Sequence, residues 1–240
     1  MKEWFESWFD TEFYHILYEN RDNTEAEHFI RNLVNKLPVR DDVEVLDLAC
    51  GRGRHSIFLD SLGFRTTGVD LSPKNITVAK QHESEKLKFF VHDMREPMPG
   101  YQFDVVLNLF TSYGYFDEAG NLRVLDSIYS YLKPGGKLVI DYLNEKLIPR
   151  DEELNFTKSA CDIDFHIHKK VVDNQVFKTI RFETKGEEKV YEEQVTLLSL
   201  KDFQNLFDQT HFEIEAIYGD YDLNPFHDDS ERLIVVARKE

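Results

Sequence analysis

Acidic and amide side chains fall at the ends of short apolar stretches in the first half of this sequence. Asp47 lies in the stretch LDLACGRGRHS, Asp70 and Asp93 follow two further apolar stretches, and Asn108 lies in a fourth. Carboxylates at such positions can accept hydrogen bonds from hydroxyl and amino groups. Asp70 would suit a ribose diol and Asp93 an adenine amino group, and neither contact requires a phosphate.

These side chains need elements that bring the ends of the apolar stretches together. Strands are predicted at residues 43–49, 65–69, 87–91, 103–109 and 138–142, with helices at 56–62 and 121–132 and a further helix that begins at Pro73 with Ser72 as its N-cap. A helix at 199–208 and strands at 211–218 and 232–238 follow near the end of the chain. Strands that alternate with helices indicate an α/β fold with a parallel sheet. Ligands of such sheets bind beyond the carboxyl ends of the strands.

Gly51 and Gly53 follow the first predicted strand and precede a helix. Glycine at such a turn permits positive φ or a close approach of the backbone to a ligand. The G-x-G-x-x-G pattern of dinucleotide-binding turns is incomplete, because Ser56 stands in place of the third glycine. Asp47 could hold the turn through backbone N–H groups or contact the ligand directly, and both interpretations stay open.

Residues 143–198 interrupt the alternation of strands and helices. Strands are predicted at 165–172, 175–184 and 189–198, and the turns between them indicate an inserted antiparallel β meander. Residues 1–37 carry apolar residues at helical spacing, and Pro38 ends the second predicted helix. We therefore expect an N-terminal helical cap (1–37), a parallel domain (38–142 and 199–240) and a β subdomain (143–198).

The composition excludes several classes of protein. The net charge of −16 disfavours a nucleic-acid partner, because phosphate contacts need a basic surface. The sequence lacks a stretch of the roughly 20 apolar residues that a membrane helix needs, and its acidic, aromatic start is unlike a signal peptide. Cys50 and Cys161 form no disulfide framework. These features predict a cytoplasmic protein that begins at Met1, without contact to a membrane.

No metal site is predicted. His166 and His168 share one face of a predicted strand, but a solvent-facing polar stripe is the favoured interpretation of that spacing. Cys50 is interpreted as a small residue in a tight turn rather than as a nucleophile.

Four motifs in this order and spacing, DLACGRG, VDLS, VHDM and LKPGG, resemble the class I S-adenosylmethionine-dependent methyltransferases. The resemblance covers residues 43–142 and resumes at 199–238. The stretches NLFTSYGYFD and GDYDLNPFHDDSERLIVVARK are similar to those of a bacterial small-molecule subgroup. The resemblance implies S-adenosylmethionine as cofactor and a doubly wound, Rossmann-like sheet of seven strands. Their order would be 3-2-1-4-5-7-6, with the seventh strand antiparallel.

The resemblance also implies which residues contact the cofactor. Glycines would line its methionine part, acidic residues would bind its ribose and adenine, and residues of the fourth strand would lie near the sulfonium. These implied contacts are Asp47, Gly51, Gly53, Asp70, Leu71, Asp93, Met94, Asn108, Leu109 and Phe110. Tyr14 or Tyr18 of the helical cap could cover the cofactor, and Arg21 could bind its carboxylate.

The methyl acceptor is less well defined by the sequence. Tyr113, Tyr115 and His227 are the candidates for its pocket or for a general base. Arg52 and Arg54 depart from the family pattern and have no predicted role. The β insertion could act as a lid or as a homodimer contact.

The predicted function is transfer of a methyl group from S-adenosylmethionine to a small-molecule nucleophile by in-line displacement. Two alternatives stay open. One is a catalytically silent scaffold of the same fold, and the other is a nicotinamide-dependent oxidoreductase. Cofactor binding would discriminate among the three.

Overall fold

A computed structural model describes residues 3–19, 23–37 and 43–240 of the chain. Contacts within it divide the chain into two units. The larger unit consists of residues 23–147 and 198–240, and the smaller combines the described part of residues 1–22 with residues 148–197. The predicted helical cap is therefore split, with its first two helices grouped with the β insertion and its last helix with the parallel sheet.

The helices and strands of the described residues have the following bounds. The helices are α1 (Trp4–Trp8), α2 (Glu12–Leu17), α3 (Asn23–Lys36), α4 (Arg54–Ser61), α5 (Pro73–Ala79), α6 (Glu118–Tyr131) and α7 (Leu200–Thr210). The strands are β1 (Glu44–Leu48), β2 (Arg65–Asp70), β3 (Leu87–Val91), β4 (Phe103–Asn108), β5 (Leu132–Leu143), β6 (Leu154–Ala160), β7 (Ile163–Val172), β8 (Gln175–Thr184), β9 (Glu187–Thr196), β10 (Phe212–Tyr218) and β11 (Arg232–Lys239).

The larger unit contains a seven-stranded sheet of order β10-β11-β5-β4-β1-β2-β3. Strands β1 to β5 pair in parallel, and β11 is antiparallel to both of its neighbours. Counted within this sheet alone, the order is the predicted 3-2-1-4-5-7-6. The α/β fold class and the antiparallel last strand are confirmed.

Apolar residues that alternate along the central strands bury one face of this sheet. Val45, Val105 and Val139 lie in one cluster with Phe29 of α3 and Leu59 of α4. Alternate residues of a strand point to the same face, so these helices cover that face. This packing also explains why α3 belongs to the larger unit.

Two predicted elements differ from the structure. Residues 133–136, predicted as a break before the fifth strand, lie within β5, which begins at Leu132 directly after α6. Strand β6 was not predicted, because its sequence LNFTKSA is mostly polar and small and lies at the edge of its sheet. The predicted three-stranded meander therefore has four strands.

The smaller unit is an antiparallel sheet of order β6-β7-β8-β9. Aromatic residues of α1 and α2, among them Trp8 and Tyr14, pack in one cluster with Phe165 and Phe182 of the sheet. This cluster explains why the first two helices belong with the insertion. A homodimer contact through this sheet stays a prediction, as does the cytoplasmic location. No helix within the described ranges is both long enough and apolar enough to span a bilayer.

Candidate active site

The glycine turn between β1 and α4 is fastened to the end of β2 by Asp70. The carboxylate accepts hydrogen bonds from the backbone N–H of Gly51 (2.9 Å) and from that of Ser72 (2.8 Å). Ser72 also begins α5, because its hydroxyl accepts from the backbone N–H of Asn75. The carboxylate therefore joins the two turns that follow β1 and β2, which places it at the carboxyl edge of the sheet.

Gly51 and Gly53 have different roles in this turn. Both have positive φ, +59° and +86°. A Cβ on Gly53 would lie 2.7 Å from the ring of Phe89, whereas a Cβ on Gly51 would meet no atom within 4 Å. Gly53 is thus required by packing, while Gly51 borders open space at the sheet edge.

Asp47 is buried at the end of β1 and accepts a hydrogen bond from the Ser56 hydroxyl at 2.5 Å. Burial raises the pKa of this carboxyl to about 6, although the bond from Ser56 and the charge of Arg54 act in the opposite direction. This contact supports the interpretation that Asp47 holds the turn. It also gives a reason for Ser56 at the position of the third glycine.

Asp93 follows β3 and forms a bidentate ion pair with Arg95. Its oxygens lie 3.0 Å from Arg95 Nε and 2.7 Å from Nη2, and it also accepts the backbone N–H of Arg95. Burial alone would raise the pKa of Asp93, but these contacts with Arg95 outweigh it and hold the pKa below the usual range. Asp93 is therefore ionised and fixed in orientation.

Asn108 ends β4 and is fully buried. Its Nδ2 donates to the backbone oxygen of Leu48 (3.1 Å) and contacts Sδ of Met94 (3.8 Å). Its Oδ1 is buried and has no hydrogen-bond partner among the described residues. Buried amide oxygens in proteins are nearly always paired, so an unpaired one at a sheet edge indicates a place for a donor from a ligand.

The two residues after Asn108 and Leu109 have backbone conformations that side chains disfavour. Phe110 has φ +58° and Thr111 has φ +61°. Left-handed conformation is uncommon outside glycine and is a clear outlier for a β-branched residue such as threonine. Strain of this kind is kept where the surroundings enforce it, and it concentrates at functional sites.

A buried carboxylate at the end of β5 enforces this conformation. Asp141 Oδ2 accepts the backbone N–H of Phe110 (2.9 Å) and the hydroxyl of Tyr221 (3.0 Å), and its backbone oxygen accepts the N–H of Thr111 (2.9 Å). Asp141 Oδ1 accepts from Arg232 Nε (2.7 Å), and Arg232 Nη2 donates to Thr111 Oγ1 (2.9 Å). The segment Phe110–Thr111 is thus held through both backbone and side chain.

Arg54 contacts the same segment from the first turn of α4. Its guanidinium lies 5.1 Å from the centre of the Phe110 ring and 3.5 Å from Glu25 of α3. Arg54 therefore connects α3, α4 and the end of β4, which is a role that the sequence did not predict. Within the described ranges, the Arg52 Nε is buried without a hydrogen-bond partner, and Arg52 stays without an assigned role.

The remaining predicted residues of the larger unit are distributed unevenly. Leu71 is half-buried directly after Asp70, whereas Leu109 packs in the apolar cluster beneath the sheet. Tyr113 is fully buried, its hydroxyl donates to the Asn121 backbone oxygen, and burial raises its pKa well above the usual range. This environment disfavours a general base at Tyr113.

Tyr115 and His227 stay predictions as pocket residues. Tyr115 is half-buried in the segment before α6, and His227 is exposed in the loop before β11.

Tyr14 and Tyr18 belong to the smaller unit, and Arg21 lies outside the described residues. The Tyr18 hydroxyl donates to Glu193 (2.9 Å) and contacts the Lys178 ammonium. These partners satisfy the hydroxyl, so a contact with a cofactor would have to replace them. Cofactor roles for these three residues stay predictions.

Comparison with known proteins gives this edge of the sheet a chemical context. The profile of a family described as a methyltransferase domain matches residues 45–136. The glycine/sarcosine N-methyltransferase of Aphanothece halophytica is 30% identical over 94% of this chain and 85% of that protein. The chain belongs to the S-adenosylmethionine-dependent methyltransferases. Its cofactor is S-adenosylmethionine.

Two further similarities agree with this assignment. YqeM of Bacillus subtilis (strain 168) is 38% identical over 40% of the methyltransferase described here, and the match covers 41% of YqeM. An S-adenosylmethionine-dependent methyltransferase from Clostridium acetobutylicum ATCC 824 has the same fold, with a TM-score of 0.81 over 95% of this chain and 96% of that one, at 19% identity.

The residues present at the edge fit this cofactor. Asp70 and Asp93 end neighbouring strands, Gly51 borders open space between two turns, and Asn108 has an unpaired buried oxygen. Carboxylates suit the ribose hydroxyls and the adenine amino group, and the acidic edge suits a sulfonium cation. Within the described ranges, no group of three or more His, Cys, Asp and Glu side chains is placed to hold a metal ion.

The charged residues Arg95, Asp141 and Arg232 are among those of the site that the sequence analysis missed. Asp141 could have been found, because it is a lone charge in the apolar strand LVIDY, the same signal that identified Asn108. Arg95 and Arg232 lie next to polar segments. A charged residue is ordinary there and does not indicate a functional role.

Proposed function

We propose that this methyltransferase transfers the methyl group of S-adenosylmethionine to the nitrogen of a small-molecule amine by in-line displacement, with release of S-adenosylhomocysteine. The observation that carries the proposal is the convergence of Asp70, Met94 and Asn108 at one sheet edge, with the Asn108 oxygen left unpaired among the described residues. The choice of nitrogen is supported by the glycine/sarcosine N-methyltransferase that matches over 94% of this chain.

In this proposal, S-adenosylmethionine supplies a methyl group on a positively charged sulfur when bound. The residues of the chain orient it. Asp70 accepts from the ribose hydroxyls, Asp93 accepts from the adenine amino group, and Gly51 permits close approach of the backbone. The Asn108 oxygen provides an acceptor for an N–H donor or a partner for positive charge.

Because the methyl group is already activated, orientation and exclusion of water supply most of the rate. A general base is needed only if the amine arrives protonated. The buried and protonated Tyr113 is unsuited to that role. In this proposal the free amine is the reacting species, so that the rate rises with pH toward the pKa of the acceptor itself.

Isothermal titration of the full chain with S-adenosylmethionine, S-adenosylhomocysteine and NADH tests cofactor binding. We expect micromolar binding of the first two and no binding of NADH. Asp70→Asn should weaken binding of S-adenosylhomocysteine by about ten-fold or more, since a charge-assisted acceptor is lost. Asp104→Asn is the matched control, because Asp104 is a strand carboxylate at the opposite edge of the sheet. Unchanged affinity in Asp70→Asn would contradict the assignment of that residue.

Methyl transfer to glycine, sarcosine, simple alkylamines and phenols then tests the acceptor class. Transfer to one or more amines in preference to phenols is the expected result. Transfer to phenols alone would contradict the nitrogen acceptor while leaving the cofactor assignment intact.

A further inference from the structure

The segment Phe110–Thr111 combines two unfavourable backbone conformations with an unusually complete set of hydrogen bonds. Both residues have positive φ, and neither is glycine. A segment free to relax would leave this conformation, because each such residue costs free energy. Other contacts must therefore stabilise the segment by more free energy than the strain costs. The larger unit provides such contacts at the end of β5.

That contact is the group formed by Asp141, Arg232 and Tyr221, here called the Asp141 clamp. Side-chain exposure is 1% for Asp141 and 13% for Arg232. Asp141 binds the Phe110 N–H through its carboxylate and the Thr111 N–H through its backbone oxygen, while Arg232 binds the Thr111 hydroxyl. Each strained residue is thus held by the clamp at its N–H, and Thr111 also at its side chain.

The clamp is itself fixed in place. The Tyr221 ring stacks on Phe29 of α3 at 4.5 Å between ring centres and 25° between planes. Arg232 is the first residue of β11 and pairs with Leu143 of β5. The conformation of Phe110–Thr111 is therefore set by elements remote in sequence, which is what a positioning device requires.

We propose that Asp141 and Arg232 are positioning residues that hold Phe110–Thr111 in the conformation required for cofactor binding beside Asn108. The proposal rests on the function proposed above, because it takes the end of β4 as part of the cofactor site. Neither residue needs to touch the cofactor, since both act through the backbone of the strained segment.

The test uses a variant in which the charges of the pair are removed together. Asp141→Asn alone would leave a buried arginine without its counter-charge and could unfold the chain. Asp141→Asn/Arg232→Met removes both charges, and replacement of a buried ion pair by uncharged residues is often neutral for stability. The control Asp104→Asn/Lys133→Met removes the ion pair that joins the same strands, β4 and β5, at their opposite ends.

Two readouts separate positioning from plain stability. The first is hydrogen exchange of the Phe110 and Thr111 amides by NMR in the chain without cofactor, and the second is affinity for S-adenosylhomocysteine. In Asp141→Asn/Arg232→Met we expect both amides to exchange at least about ten-fold faster and the affinity to fall by about ten-fold. The control variant should match the wild type in both measurements.

A rescue experiment tests the strain directly. Thr111→Gly and Thr111→Ala both remove the hydroxyl, but only glycine removes the penalty for positive φ. Added to Asp141→Asn/Arg232→Met, Thr111→Gly should restore most of the lost affinity, and Thr111→Ala should restore none.

Wild-type amide exchange and wild-type affinity in a folded Asp141→Asn/Arg232→Met variant would overturn the proposal. Equal effects of Thr111→Gly and Thr111→Ala would also overturn it, since strain would then have no part in the effect. Failure of the wild-type chain to bind S-adenosylhomocysteine would instead count against the proposed cofactor site. The amide readout would still decide whether the clamp holds the segment.

Discussion

Strands β4 and β5 lie side by side, yet their two ends differ in chemistry. At the amino ends, Asp104 pairs with Lys133 at 2.7 Å, and their side chains are 34% and 39% exposed. At the carboxyl ends, Asp141 pairs with Arg232 at the same 2.7 Å, but the exposures are 1% and 13%. The same kind of ion pair is thus about one-third exposed to solvent at one end and buried at the other.

This difference matters because a buried ion pair is weak evidence for stability. Desolvation of two charges can cost as much as their attraction provides, and apolar replacements are often neutral or better. A sheet built for stability alone would gain nothing from Asp141 and Arg232. Their burial beside strained residues therefore indicates that the ion pair serves the carboxyl edge of the sheet, where parallel sheets bind ligands, rather than stability.

The largest expected effect comes from removing one charge at each end. Asp141→Asn should lower the free energy of unfolding by about 3–5 kcal/mol, because Arg232 is left buried without its counter-charge. Asp104→Asn should lower it by no more than about 1 kcal/mol, as for exposed pairs. Urea denaturation at neutral pH measures both, and equal losses would remove the distinction between the two ends.

Asp47, also at the carboxyl edge, predicts a dependence of stability on pH. Its pKa is raised by burial to about 6 in the folded chain, while the unfolded value is about 3.9. The folded state therefore holds this proton more tightly, and stability falls as pH rises from about 4 to about 6. The contribution lost across this window is about 3 kcal/mol. Asp47→Asn should flatten that part of the profile, as measured by urea denaturation at a series of pH values.

The control for Asp47→Asn is Ser56→Ala, which removes the hydroxyl that donates to Asp47. This bond favours the ionised carboxylate, so its loss should raise the pKa of Asp47 further and extend the fall of stability to pH values above 6. A profile that is the same in all three proteins would mean that another group titrates in this window.

The elements of the parallel sheet could be predicted from the sequence because their signals are local. Strands β1 and β4 are short apolar stretches, Ser72 caps α5 as expected, and Ser199 caps α7 with its backbone N–H bound by Asp202. Such signals depend on residues a few positions apart. They also predicted which loops meet at the carboxyl edge.

The contacts that shape the site could not be predicted in the same way. Arg232 and Thr111 are bonded across 121 residues of sequence, and no local pattern marks either as a partner. The positive φ of Phe110 and Thr111 runs against the preference of both residue types, so local rules predict the wrong backbone there. The site thus departs from local preference where tertiary contacts override it.

Smaller effects are expected from the two glycines of the turn. Gly53→Ala should cost about 1–3 kcal/mol of stability, since its methyl would clash with Phe89 and its φ is positive. Gly51→Ala should cost less, about 1 kcal/mol, because only the φ penalty applies. For S-adenosylhomocysteine we expect the opposite order: Gly51→Ala should weaken binding more than Gly53→Ala, because the methyl group at position 51 enters the open space at the sheet edge. Thermal unfolding and isothermal titration of both variants measure the two orders.

The smallest effect concerns Asp93, whose orientation we attribute to Arg95. The two side chains are 25% and 21% exposed, so Arg95→Met should change stability at neutral pH by no more than about 1 kcal/mol. The pKa of Asp93 should nevertheless rise, since the contacts that lower it in the folded chain are removed. A folded pKa below the unfolded value stabilises the protein at pH above the unfolded value, and this stabilisation is lost as pH falls. The variant and the wild type should therefore become equal in stability at low pH.

NMR titration of the Asp93 carboxyl measures the shift in its pKa. Arg123→Met is the control, because Arg123 pairs with Glu96 in a more exposed position. An unchanged low pKa of Asp93 in Arg95→Met would contradict the role given to Arg95. Arg95 would then serve to pack against Phe116.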